Sequence, residues 1–375
     1  MIRPSIIFVK IFEMVYHVIG LMSGSSLDGL DVVYAELTEV SGQWSYQIHA
    51  AECIPYTDQL KASLAEATRL NARDYQLLHT AYGRFTGEQV NDFIDRNGLH
   101  HKVHFVASHG HTTFHIPEQN TTAQLGCGAT IAAVTGLPVI SDLRAVDVAL
   151  GGQGAPIVPI GEKLFFSDFS YLLNLGGIAN ISAKNGDTYR AFDICPANRV
   201  LDALAQQLGK AYDENGALAA GGVTDNTLLN QLNALPYYAQ PFPKSLANDF
   251  GTETVLPIIA GYTLSVQGKL RTYVEHIATQ IEAAVKSLEL PTQGTRMLVT
   301  GGGAFNRFLI ESIDARLDPL GITIVVPDEQ TAAYKEALVM ALIGALRWRQ
   351  QPNILSSVTG APRDSVNGAL WVSEA

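Results

Sequence analysis

The chain has 375 residues, 47% of them hydrophobic and 16% charged, which is enough apolar material for two packed cores of ordinary domain size. Its formal net charge of −11 argues against a broad nucleic-acid or anionic-membrane surface, because the field of the whole molecule repels both polyanions, so an anionic nucleotide would need local backbone donors or a metal. The three cysteines, Cys53, Cys127 and Cys195, lack zinc-type or thioredoxin-type spacing, so a reducing, cytoplasmic setting is expected and a disulfide framework is not.

The opening run MIRPSIIFVKIFEMVYHVIG is apolar but broken by Arg3, Lys10, Glu13 and His17 and has no small-residue cleavage site. It is a poor signal peptide and a poor membrane span. Met14 is read as an alternative start, which makes residues 1–13 an extension. From Val15 to Met22 a strand is expected, then a polar turn over Gly24–Gly29, a second strand over Leu30–Leu37 and a third over Trp44–Pro55. An amphipathic helix follows Asp74 and ends near Asn97-Gly98; a short buried strand, Val103–Ala107, then runs into Ser108-His109-Gly110-His111.

The same order of elements recurs, without sequence similarity, in strands at Tyr171–Leu175, Ile178–Ala183 and near Tyr189–Phe192, then a helix over about Arg199–Leu208. A long helix, Tyr273–Leu290, precedes a buried strand at Met297–Thr300, and an apolar helix closes the pattern at about Ala332–Trp348. No low-complexity run separates the halves, and Gly151–Gly161, rich in glycine and proline, is the best hinge candidate.

Four strand-to-turn segments carry chemistry. In the first, Gly24, Ser25, Ser26, Leu27, Asp28, Gly29, Leu30 and Asp31 offer glycines for close backbone approach and hydroxyls and amides for phosphate oxygens. Asp28 or Asp31 could hold magnesium through water, since that ion keeps several of its waters; a plain hairpin turn would use the same residue types. The second, Asn174 to Asn180, sets Gly176 and Gly177 at a tight turn. The third, Gly301-Gly302-Gly303 followed by Asn306, ends a buried strand and opens a helix at Asn306 or Arg307, suiting a flat adenine or a phosphate against bare backbone. It is neither a Walker loop nor a Rossmann fingerprint. In the fourth, Asp193 closes a strand and Asn198 can cap the next helix. A carboxylate at such a strand end can serve as general base, or be a solvated capping group.

Together these segments resemble the anhydro-N-acetylmuramic acid kinases, within the superfamily of hexokinase, acetate kinase, actin and the heat-shock ATPases. The likeness runs from about Tyr16 to Leu370. It includes Ser108-His109-Gly110-His111-Thr112, Asp142-Leu143-Arg144 with Asp147, Gly151 to Pro156, Pro243-Lys244-Ser245, Lys335-Glu336-Ala337-Leu338 and Ser357 to Ala361. The resemblance implies an α/β, two-domain actin-like ATPase (ribonuclease H-like) sugar-kinase fold with an interdomain cleft. Its domains would be 14–160 and 161–345, with 346–375 packing back on the first. It also implies ATP on the Gly24–Asp31 and Gly301–Gly303 turns with Gly176, Gly177 and Asn306, and Mg2+ near Asp28. The anhydro sugar would meet His109, Asp142, Arg144, Asn180, Asn198 and Glu336.

By the resemblance, Asp193 is the base that activates a water for attack on the anomeric carbon of a 1,6-anhydro sugar, while the freed O6 takes the γ-phosphoryl group. The product is a 6-phosphosugar of cell-wall recycling. Arg144 would clamp the substrate's carboxylate or a phosphate, with an interdomain ion pair as the alternative. Glu336 would meet a sugar hydroxyl unless it only favours a helix dipole. His109, His111 and His115 do not have metal-site spacing, because Gly110 breaks helical register. Small molecules are the expected partners, with nucleic acid and membrane excluded and a homodimer left open.

The sequence departs from the family after Asp193, where Ile194-Cys195-Pro196-Ala197-Asn198 stands in place of Thr-Gly-Pro-Gly-Asn, and at Cys127, often an acid. Another anhydro sugar such as levoglucosan, or a plain hexose, is therefore the alternative substrate. An ATP-gated binding module is the reading from outside the enzymes.

Overall fold

The computed structural model describes residues 13–24, 27–186, 188–242, 244–247 and 249–373. The chain divides into two compact units, one running to Phe166 and resuming at Glu336, the other formed by Ser167–Lys335.

In the first unit, β1 (Glu13–Ser23), β2 (Gly29–Val40) and β3 (Gln43–Pro55) form an antiparallel meander. On the other side of β1, β4 (Phe105–Ile116) pairs parallel to it and β6 (Val139–Ser141) parallel to β4. β5 (Thr121–Leu125) folds back on β4, and β12 (Ala369–Trp371) closes the edge antiparallel to β6. β4 therefore continues through the Ser-His-Gly-His run, where a shorter strand was expected, because β5 supplies it with a hydrogen-bonding partner.

The second unit repeats this plan. β7 (Tyr171–Leu175), β8 (Ile178–Asn185) and β9 (Thr188–Pro196) are an antiparallel meander, with β10 (Thr295–Thr300) parallel to β7 and β11 (Ile322–Val325) parallel to β10. The order β11-β10-β7-β8-β9 matches β6-β4-β1-β2-β3 element for element. The recurrence seen in the sequence is thus a recurrence of topology.

Each sheet is covered by a helix whose ends are written in the sequence. Asn71 caps Ala72–Asn97 through a 3.0 Å bond from the Asp74 amide, and the helix buries Tyr82, Val90, Phe93 and Ile94 against Ile19, Leu21, Val32 and Tyr34. Ser265 caps Val266–Ser287 in the same way. That helix starts at Val266, about two turns before the expected Tyr273, since its first residues, including Gln267, Gly268 and Lys269, carry a weak apolar stripe. Its Val274, Ile277 and Ile281 pack with Leu173, Leu175 and Ile181 in the second core.

Gly151–Gly161 was suggested as a hinge by its composition, but its first residues are tied down inside the first unit. The Gly152 amide donates to the Asp147 carbonyl at 2.9 Å, the Gln153 amide to the Thr359 carbonyl at 2.7 Å and the Gly154 amide to Asp147 Oδ2 at 2.8 Å.

On β1, a Cβ at Gly20 would lie 2.0 Å from the Ala337 carbonyl oxygen and 2.9 Å from the Ala341 amide nitrogen, both backbone atoms of the Glu329–Trp348 helix. Gly20→Ala must push that helix away. Overpacking of this kind costs about 1–3 kcal/mol, so a clearly lower denaturation midpoint is expected, and an unchanged midpoint would show that the helix does not need this close approach.

Candidate active site

In the first unit the candidate residues begin where β1 stops. Ser23 Oγ accepts from the Tyr56 hydroxyl at 2.7 Å and lies 3.0 Å from His111 Nδ1, and Tyr56 and Tyr82 hydroxyls are 2.6 Å apart. This buried chain fixes the strand end that launches the turn toward β2. Of the turn residues expected to hold ATP, Ser25 and Ser26 lie outside the described residues, as does Pro243 of the Pro-Lys-Ser motif. Leu27 has φ 59°. Leu30 belongs to the core, so only its backbone can meet a ligand.

Asp31 faces Cys53 across the β2–β3 ladder. Burial, reinforced by the negative charges of Glu336 and Asp28, pushes the Asp31 carboxyl up to about 6 against the opposing hydrogen bond from Cys53. Asp28, Asp31 and Glu336 thus share one electrostatic neighbourhood with an excess of negative charge, which a divalent cation would relieve. Among the described residues no three His, Cys, Asp or Glu side chains converge as a metal cage. This donor set fits magnesium held through its own waters better than direct coordination.

Arg144 is built in from the other side of the same unit. Its Nε donates to His109 Nε2 at 2.8 Å and an Nη to the Gly154 carbonyl at 2.6 Å. His109 Nε2 therefore accepts, so Nδ1 carries the proton and donates to the Gly110 carbonyl at 2.8 Å. Burial and the Arg144 charge pull His109 down to about 3, so the ring is neutral. With both nitrogens occupied, His109 is not the sugar contact expected from the sequence; it holds Arg144.

Gly154 is held in turn by Asp147, whose other oxygen accepts from the Thr359 hydroxyl at 2.7 Å and whose amide donates to Asn367. The sequence motifs around Asp147, Gly151 and Thr359 therefore serve as scaffolding. Burial pulls the Arg144 guanidinium down to about 10, with Glu336 opposing. It remains charged at neutral pH, and among the described residues one terminal nitrogen has no partner.

Glu336 lies beyond a break in helical backbone at Tyr334, in a helix that begins at Glu329. It therefore stands in the first turn of the helical run that follows the break, where a carboxylate also favours the helix dipole. Asp142 adopts φ 58° and accepts from the Ser141 hydroxyl at 2.8 Å. His111 and His115 are engaged by Ser23 and Thr122.

The second unit carries Asp193. β9 does not close there as expected: Asp193 pairs with Asn180, Cys195 with Ala179, and Ile194 is the extra residue of a bulge between them. Asp193 Oδ2 accepts from the Leu246 amide at 2.9 Å; its other oxygen has no hydrogen-bond partner among the described residues. Burial raises the Asp193 carboxyl above the usual aspartate range, with the Leu246 bond opposing. The geometry is that of a half-buried carboxylate with one oxygen fixed and the other available to take a proton.

Ile194, Cys195 and Ala197 are buried in the core. The departures from the family run after Asp193 therefore place their side chains in the core. Asn198 is not the helix cap expected. Ala197 occupies that position, and the Asn198 side chain donates to the Leu175 carbonyl at 3.0 Å. Its amide donates to the Gly176 carbonyl and that of Ala197 to the Gly177 carbonyl, tying the β7–β8 turn to the start of the helix.

The glycine turn after β10 stands beside them. Gly301 has φ 84°, and a Cβ there would lie 2.6 Å from Asn174 Oδ1 and 2.8 Å from the Leu175 carbonyl oxygen. Only glycine fits. At Gly302 the nearest atom to an added Cβ is Asn198 Nδ2 at 3.6 Å, because this residue borders a cavity of about 530 Å³. Asn198, Gly303 and Asn306 also line that cavity, whereas Gly176 and Gly177 do not. Asn306 caps Arg307–Leu317 through a 3.1 Å bond from the Leu309 amide.

Sequence reasoning missed Asp202, Tyr212, Glu214, Phe305 and Glu329 on the cavity wall. Tyr212 and Glu214 sit in a polar loop that reads like any solvated connection.

Among solved structures, the activator of the 2-hydroxyisocaproyl-CoA dehydratase from Clostridium difficile with bound ADPNP is similar at 15% identity and a TM-score of 0.45, covering 90% of this chain and 99% of that one. The anhydro-N-acetylmuramic acid kinase of Salinibacter ruber is 34% identical, with 95% of this chain and 96% of the relative covered. That of Hydrogenovibrio crunogenus is 32% identical over 94% and 97%. The family model for anhydro-N-acetylmuramic acid kinase matches residues 16–373, and the chain belongs to that family.

Proposed function

We propose that this chain is an ATP-dependent kinase that hydrolyses the 1,6-anhydro bond of anhydro-N-acetylmuramic acid and phosphorylates O6, giving N-acetylmuramic acid 6-phosphate and ADP in cell-wall recycling. The observation that carries the reading is Asp193, a carboxylate with a raised pKa, one fixed oxygen and one open oxygen, in a chain of this family. Asp193 takes a proton from a water as that water bonds to the anomeric carbon. The bond from that carbon to O6 breaks, and O6 bonds to the γ-phosphorus as the bond from phosphorus to ADP breaks. Phosphoryl transfer asks mainly for positioning and charge neutralisation. Asp28 or Asp31 would hold magnesium, which would supply neutralisation of phosphate charge.

The open end of Arg144 suits the substrate's carboxylate, and Asp142, Asn180 and Glu336 suit its hydroxyls. The buried positions of Ile194, Cys195 and Ala197 give no reason to replace the family's sugar by another. The cavity beside Gly302 takes the nucleotide by its adenosine end. Of its carboxylates, Asp213 is taken up by the Leu218 and Ala219 amides, while Asp202, Glu214 and Glu329 repel phosphate but accept hydrogen bonds from ribose hydroxyls, and Tyr212 and Phe305 offer aromatic surface to a base. Three free thiols support a reducing, cytoplasmic setting, and among the described residues no helix is long and apolar enough to cross a membrane.

A coupled assay for ADP with anhydro sugars, free sugars and no sugar tests the reaction class. Turnover with the anhydro sugar alone is expected; equal turnover with free hexoses would favour a plain hexose kinase, and ATP hydrolysis indifferent to sugar would favour a binding module. Asp193→Asn should lose about 10²–10⁴ in kcat. A base works deprotonated, so burial moves the acid limb of the wild-type pH profile above that of an ordinary aspartate, and the variant should lack that limb.

Gly302→Leu tests the nucleotide pocket. Its Cβ has room in the protein, so thermal stability should hold while the KM for ATP rises about tenfold or more. An unchanged KM would remove the cavity from ATP binding.

A further inference from the structure

Asp193 lies on β9, the edge strand of its sheet, and a residue's main-chain N–H and C=O point to the same side of a strand. Both groups of Asp193 are met by the segment from Tyr237 to Leu246. The Asp193 amide donates to the Lys244 carbonyl at 3.3 Å, the Tyr237 hydroxyl donates to the Asp193 carbonyl at 2.6 Å, and the Leu246 amide donates to Oδ2 at 2.9 Å. One segment therefore fixes the backbone and the side chain of the same residue.

The segment is itself anchored. The Tyr237 ring packs on Phe250 at 5.7 Å between centroids and lies 4.8 Å from the Lys244 ammonium, which also sits 5.7 Å from the Phe192 ring. The next residue, Tyr238, is rooted in a buried polar chain. Gln280 donates to Asn233 Oδ1 at 2.8 Å, and the same oxygen lies 2.6 Å from His276 Nδ1. That oxygen can only accept, so Nδ1 carries the proton and Nε2 accepts from the Tyr238 hydroxyl at 3.0 Å. Burial pulls His276 down to about 3, so this arrangement persists across the working pH range.

We propose that Tyr237 is a positioning residue for Asp193: its hydroxyl locks the backbone of the bulged edge strand, and with it the register in which the Leu246 amide reaches the carboxylate. The inference rests on the reading of Asp193 as the base. Without the Tyr237 hydroxyl the Asp193 carbonyl has no donor at the sheet edge, and the segment can slide away from the strand. The carboxylate then loses both its fixed direction and the Leu246 hydrogen bond that favours its charged form.

Tyr237→Phe in the full chain keeps the ring contacts and removes only the donor. Its kcat should fall about 10- to 100-fold, as for a misplaced catalytic group, with the KM for ATP within about twofold of wild type and the acid limb moved to higher pH. The shift has this sign because a carboxylate that loses a donor is protonated more easily. Tyr238→Phe takes the hydroxyl from His276 instead and should lower the melting temperature while leaving the acid limb in place. In an Asp193→Asn background, Tyr237→Phe should slow turnover no further. A Tyr237→Phe enzyme with wild-type kcat and acid limb, beside an inactive Asp193→Asn, would overturn this inference alone. Equal movement of the limb in the two tyrosine variants would also overturn it, by making the segment's effect one of general stability. An Asp193→Asn enzyme with wild-type turnover would overturn the base reading and this inference with it.

Discussion

Close backbone approach around the central strand of each sheet is the constraint on which the rest of the structure depends. At Gly20 the missing side chain admits the main chain of the Glu329–Trp348 helix at Ala337 and Ala341. At Gly301 it admits the Asn174 side chain and the Leu175 carbonyl. Any side chain at either place would collide with a neighbour. Because the strands end in turns this tight, helices and loops are drawn up to the strand ends, and the polar groups that those ends carry become the walls of sites. The same economy of space leaves Gly302 open on a cavity.

Within each unit the charged groups are held by partners that are themselves spoken for. Arg144 rests on His109 and Gly154, and Gly154 rests on Asp147, which Thr359 and Asn367 complete. Asp193 rests on Leu246 and Tyr237, whose neighbour Tyr238 rests on His276 and Asn233. Burial raises Asp31 and Asp193 and lowers Arg144 and His109. In each case it disfavours the charged form, which makes the carboxylates better bases and leaves their charge to be balanced by a ligand.

The element order was legible in the sequence because β-branched strands, glycine turns and amphipathic helices leave strong local signals, and the matching order of the two meanders could be read from them. The extent of β4 and β9 could not, because strand length there depends on a partner, β5, and on a bulge at Ile194. Asp193, Asn306 and the Gly301–Gly303 turn stood out because their residue types are unusual at strand ends. Tyr237 and Leu246 did not, and Lys244 stood out only within the Pro243-Lys244-Ser245 motif, since what the three give Asp193 is a hydroxyl, an amide and a carbonyl arriving from more than 40 residues away. His109 and Asn198 were chemically plausible ligands, and only their hydrogen-bond partners show that His109 braces an arginine and Asn198 a strand end. The residues after Asp193 looked like a changed pocket because sequence does not reveal that Ile194, Cys195 and Ala197 turn inward.

The central claim is that Asp193 directs a water to the anomeric carbon while the sugar's own O6 receives the phosphoryl group. Turnover of the anhydro sugar in heavy-oxygen water, with product trapped before the free sugar exchanges its anomeric oxygen, measures this directly. The account predicts label on the anomeric hydroxyl and none in the bridge between O6 and phosphorus. Product with an unlabelled anomeric oxygen at early times, or with label in the phosphate bridge, would contradict it.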